Sequence, residues 1–278
     1  MACARALAAE GVNVVINGRD AERLAKAASE LEANSTAEVR PVAADITTAD
    51  GRARLLAACP GPDILVTNNA GPRPGSLFEV SDEDLARAFD LHYWRPVSLA
   101  RAVVGGMRER RFGRIVNITS AMVTAPRPQM AASAGARTGM TAVMKGLARE
   151  VARDNVTVNQ LLPERIDSGR QVQMAKIEAE RSGISYDEAR RRQAASIAAG
   201  RHGRPEELGA ACAFLCSVQA SFISGQNLHL DGGSYPGLVR LVRETADARQ
   251  AVAVDEGLSP LRDGCTGCAA GARPQGSS

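Results

Sequence analysis

The stretch ILVTNNAG, residues 64–71, reads as a short buried strand that stops in a polar turn. Ile64, Leu65 and Val66 are consecutive apolar residues without helical spacing, and Thr67-Asn68-Asn69-Ala70-Gly71 is too polar to extend a core strand. In an open parallel sheet, ligands bind at such carboxyl ends of strands. Short side-chain amides followed by Ala-Gly let the backbone come close to a flat ligand.

Working outward, residues 12–16, 39–43, 114–118, 156–162 and 226–230 are further β-rich runs, and helical patterns separate them. Asp20 predicts the cap of a helix through Glu32, and Thr47 or Thr48 that of a helix through Ala58. Ser81 with Asp84 predicts a helix start, with the helix running towards Val104. A long helix is expected from about Ala134 to Arg153, then two short polar helices over residues 170–199, the second opened by Ser185 with Glu188. Pro205-Glu206-Glu207 predicts a last helix through Cys216. Regular alternation of strand and helix implies an α/β fold, a doubly wound parallel sheet with helices on both faces. Residues 1–10 pattern as a helix with no preceding cap, ended by Gly11, so the beginning of the fold is expected to be missing.

Composition narrows the function. The 278 residues carry 34 basic and 31 acidic side chains, a formal net charge of +3, with no basic tract interleaved with aromatics, which disfavours nucleic-acid binding. Six cysteines in a chain of this length do not form a disulfide framework, and no apolar run reaches the roughly 18 residues of a membrane span. With no signal peptide, the expectation is a soluble cytoplasmic protein with no membrane partner. Residues 1–238 are expected to form one domain and residues 239–278 a flexible tail. The Cys265-Thr-Gly-Cys268 pair in that tail has metal-ligand spacing but no second pair, so a chance pair is preferred and no metal site is assigned.

Six motifs in order carry a family resemblance: NNAG at residues 68–71, RIVNITS at 114–120, KGLAREVA at 145–152, VTVNQLLP at 156–163, GRPEEL at 203–208 and ISGQNLHLDGG at 223–233. Over residues 1–237 the chain resembles the short-chain dehydrogenase/reductase family, in the branch of the 3-oxoacyl-(acyl-carrier-protein) reductases. The resemblance implies a Rossmann-like fold, an NADP or NAD cofactor, a small carbonyl or alcohol substrate and a homotetramer or homodimer built on helices around residues 85–104 and 134–153. It makes Asn69, Ala70, Gly71 and Pro163 cofactor contacts. Asp45 matches the residue that holds the adenine amino group, with a helix cap as the rival role. Arg19 falls where the ribose 2′ position is read, which favours NADP; a solvated arginine is the alternative.

Two departures stand out. No glycine-rich phosphate loop precedes residue 1, and the first strand is absent with it; a start codon assigned too far downstream is preferred over a crippling truncation. At the catalytic centre the family's serine is matched by Ser120. Its Tyr-x-x-x-Lys motif has become Ser133-x-x-x-Arg137, and no other tyrosine has a lysine four residues on. A serine hydroxyl is far too weak an acid to replace a phenol, and an arginine passes on no proton, although Arg137 could hold ribose hydroxyls. His92 stands where the family has an asparagine and is a candidate proton source, against the plainer role of a polar residue at a helix interface. Two functions compete: an NADP-dependent oxidoreductase with Ser120 polarising the substrate oxygen, and a catalytically silent binding or partner subunit.

Overall fold

The structure, a computed structural model, describes residues 1–237; the expected tail and the Cys265/Cys268 pair lie outside the described residues. Its strands are β1 (Val14–Gly18), β2 (Val39–Ala43), β3 (Ile64–Thr67), β4 (Gly113–Ile118), β5 (Val156–Pro163) and β6 (Asn227–Leu230). All their pairings are parallel, with Val14 opposite Val39, Ile64 opposite Arg114, Gly113 opposite Val156 and Gln160 opposite Asn227. Parallel neighbours need crossovers, and the helices supply them: α1 (Ala2–Ala9), α2 (Ala21–Glu32), α3 (Ala49–Ala58), α4 (Asp82–Phe89), α5 (Arg95–Glu109), α6 (Ala131–Val151), α7 (Gly169–Ser182), α8 (Tyr186–Ala195) and α9 (Pro205–Cys216).

Successive side chains of a strand point to opposite faces, so a strand covered on both sides feeds two cores. Val116, Ile118 and Leu161 pack with Leu7, Cys212 and Leu215 from α1 and α9, whereas Ile115 and Val158 pack with Val103, Met107, Met140 and Met144 from α5 and α6. This is the doubly wound arrangement read from the sequence. Most cap signals also hold: Asp20 accepts from the Arg23 N–H, Thr48 from Gly51, and Ser81 with Asp84 forms a reciprocal capping box. Ser185 accepts from the Glu188 N–H.

The strands do not form one sheet. β1 and β2 make one pair and β3-β4-β5-β6 another sheet, with no ladder between β1 and β3. Between them lies a cavity of about 950 Å³ walled by Val14, Ile16, Leu65 and Val66 and floored by Leu7, Leu99 and Val103. The walls are apolar and each side offers a strand edge with no partner, as expected where a central strand is missing. As a result, Ile64, Leu65 and Val66, expected as fully buried, are only half-buried. The helix expected to run unbroken from Ser81 towards Val104 is interrupted by a π turn over Asp90–Trp94, and α6 begins at Ala131 rather than Ala134. Among the described residues no helix is long and apolar enough to cross a membrane.

Candidate active site

β3, β4 and β5 end together, and beyond their carboxyl ends opens a cavity of about 1180 Å³ that reaches from the Asn68-Asn69-Ala70-Gly71 turn to Ser120, Ser133, Arg137 and Pro163. Each wall has a local cause. Ser120 lies two residues past the end of β4; its Oγ accepts the Met122 N–H at 3.3 Å, which closes a tight turn and leaves its own proton free to donate. Ser133 and Arg137, four residues apart on α6, share one helix face and are both buried. The Arg137 guanidinium reaches the end of β4 and donates from Nη1 to the Ile118 and Thr119 carbonyls at 3.1 and 2.9 Å. Its Nε has no partner. Burial, and then the charge of Arg170, pull the Arg137 pKa down to about 10, which leaves it cationic at neutral pH.

The π turn carries His92, which is 3% exposed. π turns inside helices concentrate at functional sites, and this one is fastened to the β3 turn: the Asn69 side chain donates to the Leu91 carbonyl at 2.6 Å. The Asn69 amide expected to contact a cofactor is thus engaged in holding the turn. For His92 the surroundings favour the plainer role of a polar residue at a helix interface. Burial first, and Arg137 next, push its pKa down to about 3, with the Ala70 carbonyl pulling the other way, and it does not line the cavity. Burial thus favours the neutral ring, set behind the cavity wall.

The adenine-side candidates come together at the other end of the crest. Arg19 is exposed beyond β1 and lines the first cavity. Asp45 uses Oδ1 to accept the Thr47 N–H at 2.9 Å, a turn-closing role. The hydrogen bonds from Thr47 lower its pKa most, with Arg19 and Arg95 adding to them. The two cavities share Asn68, Asn69 and Arg23 in their walls, so the crest is continuous from Arg19 to Ser120.

Sequence reasoning missed two arginines that line the same cavity as Ser120. Arg165 follows Pro163-Glu164 with a left-handed backbone, φ 53°, and Arg170 opens α7. Arg170 Nη2 donates to the Pro72 carbonyl at 2.8 Å, and a Cβ on Gly71 would sit 3.4 Å from its Nε, so the arginine lies across the turn. Along the sequence nothing set these two apart from the chain's many other arginines. No tyrosine lines this cavity. Tyr93 stands edge-on to Trp94 at 4.9 Å, and Tyr235 stacks on His229. No group of three metal-ligating side chains occurs among the described residues.

A doubly wound α/β sheet with an open pocket over the carboxyl ends of its strands defines a class of ligand-binding α/β proteins, many of them nucleotide-dependent. Residues 1–235 match the family model described as enoyl-(acyl carrier protein) reductase. The 3-oxoacyl-(acyl-carrier-protein) reductase FabG of Rickettsia bellii is 31% identical over 232 residues, covering 84% of this chain and 90% of that protein. L-sorbose reductase from Gluconobacter frateurii, solved with NADPH and L-sorbose, shares 30% identity at a TM-score of 0.79, over 85% of this chain and 92% of that one. A 3-oxoacyl (acyl-carrier-protein) reductase from Agrobacterium tumefaciens C58, solved with NADP bound, shares 28% identity at a TM-score of 0.74, over 84% and 88%. The chain belongs to the short-chain dehydrogenase/reductase family, within its 3-oxoacyl-(acyl-carrier-protein) reductase-like branch.

Proposed function

We propose that this chain is an NADP(H)-dependent oxidoreductase that interconverts a small carbonyl compound and its alcohol, with Ser133 and Arg137 in place of the family's tyrosine and lysine. The single observation that carries this reading is the convergence of Ser120, Ser133 and Arg137 beneath an open strand crest. The residues fit a dinucleotide at both ends of that crest. Arg19 offers a guanidinium suited to a 2′-phosphate. The exposed Ala70 leaves backbone open at the turn, and the orphaned Nε of Arg137 lies below it.

A bound nicotinamide supplies or accepts the hydride. The chain's own residues do the rest. Ser120 donates its hydroxyl proton in a hydrogen bond to the substrate oxygen, and the fixed charge of Arg137 stabilises negative charge developing there. Ser133 keeps its proton near neutral pH, so water in the cavity protonates the oxygen. A second reading, a binding or partner subunit without turnover, is favoured by the missing tyrosine. Trp94, 57% exposed on the π turn, fits a homotetramer or homodimer interface on either reading.

The test is NADPH binding followed by fluorescence, together with NADPH consumption against a panel of carbonyl compounds, on the full chain. Binding and turnover are expected. Arg19→Ala should weaken NADPH by about tenfold and leave NADH unchanged. Binding without turnover selects the partner-subunit reading, and no binding overturns both.

A further inference from the structure

The cavity that Ser120 lines carries more positive than negative side chains. Six arginines and two glutamates line the cavity. Glu164 pairs with Arg127, and Glu178 accepts from the neutral Gln193 amide at 3.0 Å; both carboxylates also act on Arg165 at longer range, which leaves more arginines than glutamates along the wall. Arg137, Arg165 and Arg170 form no ion pair among the described residues, and for Arg165 burial and the charge of Arg127 outweigh the pull of Glu164 and Glu178. Arg137 is 6% exposed and bonded only to carbonyls, and Arg170 is bonded only to Pro72 and Gln173. Arg165 Nε is buried without any partner. Burying guanidinium groups without a counter-charge is costly, and setting them face to face adds repulsion, felt here as Arg170 lowering the pKa of Arg137.

The backbone points the same way. Arg165 adopts φ 53°, a conformation unfavourable for a residue with a long side chain. Strain of this kind persists where the surroundings hold it, and it clusters at ligand clamps. The clamp is also stiff. Gln171 donates to Gln193 at 2.9 Å in the buried seam between α7 and α8, and Arg190 pairs with Asp167 at 2.8 Å in the loop that carries Arg165. A guanidinium fork in this setting matches a carboxylate, with two parallel hydrogen bonds.

Resting on the oxidoreductase reading above, we propose that the substrate is a small oxo or hydroxy acid whose carboxylate is held by Arg165 and Arg170, with its reacting carbonyl carbon placed at Ser120. The carboxylate neutralises the wall, and the charge of Arg137 is left to act on the reacting oxygen. A neutral carbonyl compound would leave the guanidinium groups unpaired. Arg165 and Arg170 are therefore specificity-determining residues.

The test measures calorimetric binding of two- to six-carbon 2-oxo and 3-oxo acids to the full chain, each beside its neutral ethyl ester, with and without saturating NADP. At least one acid is expected to bind about tenfold more tightly than its ester, with NADP present or absent. Arg165→Gln should abolish that preference, Arg165→Lys should restore part of it, and neither should lower the unfolding temperature. If no acid outbinds its ester, or Arg165→Gln leaves the preference intact, the proposal is wrong. Loss of acid binding when NADP is added also overturns it, because the arginines would then hold a cofactor phosphate. Arginine-dependent acid binding without NADPH consumption supports the carboxylate site and overturns the oxidoreductase reading. Equal turnover of acids and esters, unchanged by Arg165→Gln, does the reverse.

Discussion

The two sheets are built from the same alternation of strand and helix and end up with opposite packing. In β4 and β5 nearly every residue is buried, because each strand has a partner on both sides and helices above and below. In β1 and β3 one edge is paired and the other faces the cavity between the sheets. Apolar sequence is therefore necessary for a central strand but does not complete one; the hydrogen-bonding neighbour must be there as well. The division also runs through the function. Ser120, Ser133 and Arg137 stand on the complete half, whereas Arg19 and Asp45 stand on the incomplete one.

The sharpest way to break this contrast is to delete the same side chain on each side. Leu161→Ala, at a fully buried site, should cost about 3 kcal/mol in urea denaturation, and Leu65→Ala, beside the cavity, about 1 kcal/mol. Enlarging side chains should invert the ranking: Val158→Phe costs about 2 kcal/mol by overpacking, while Val66→Phe fills existing space and is close to neutral. Equal costs on the two sides would mean that the halves are equally packed.

The seam between the halves is next. His92 has a folded pKa of about 3 against an ordinary 6.5. Between those values the unfolded chain binds a proton that the folded chain does not, so stability rises with pH across that window and is lost as the solution is acidified. The loss attributable to this ring should reach about 3 kcal/mol by pH 4. Chemical denaturation of wild type and His92→Gln across that range measures it; parallel pH profiles would show that the ring is not held neutral.

Amide exchange sharpens the comparison without any mutation. The Val14 N–H bonds to the carbonyl of Glu38, just before β2, so by strand periodicity the Val15 and Asn17 N–H groups face the cavity. These should exchange on the order of 100-fold faster than the Val116 and Val158 amides. Comparable protection would require a partner on the β1 edge. The smallest effect is expected at the helix caps, which do not depend on the sheet: Asp20→Ala beside β1 and Ser81→Ala after β3 should each cost about 1 kcal/mol in thermal unfolding. A clear difference between the two would show that the incomplete half weakens its local structure as well.

Features that depend on near neighbours along the chain could be read before folding was considered. The strand ILVTNNAG, the caps at Asp20, Thr48 and Ser81 and the four-residue spacing of Ser133 and Arg137 all fall here, because strand polarity, capping and helical facing are set within a few residues. The two-sheet order of the described residues, with no ladder between β1 and β3, agrees with the helix pattern read for residues 1–10. Other features depend on groups brought together from distant parts of the chain. His92 looked like a neutral-range acid until burial and the Arg137 charge, 45 residues away, were placed around it. Arg165 and Arg170 carried no distinguishing signal along the chain until β5 and α7 brought them to the cavity that Ser120 lines, where neither forms an ion pair. Desolvation and uncompensated charge are properties of a three-dimensional neighbourhood, so a pattern along one dimension carries the scaffold of this site and leaves its electrostatics to the packing.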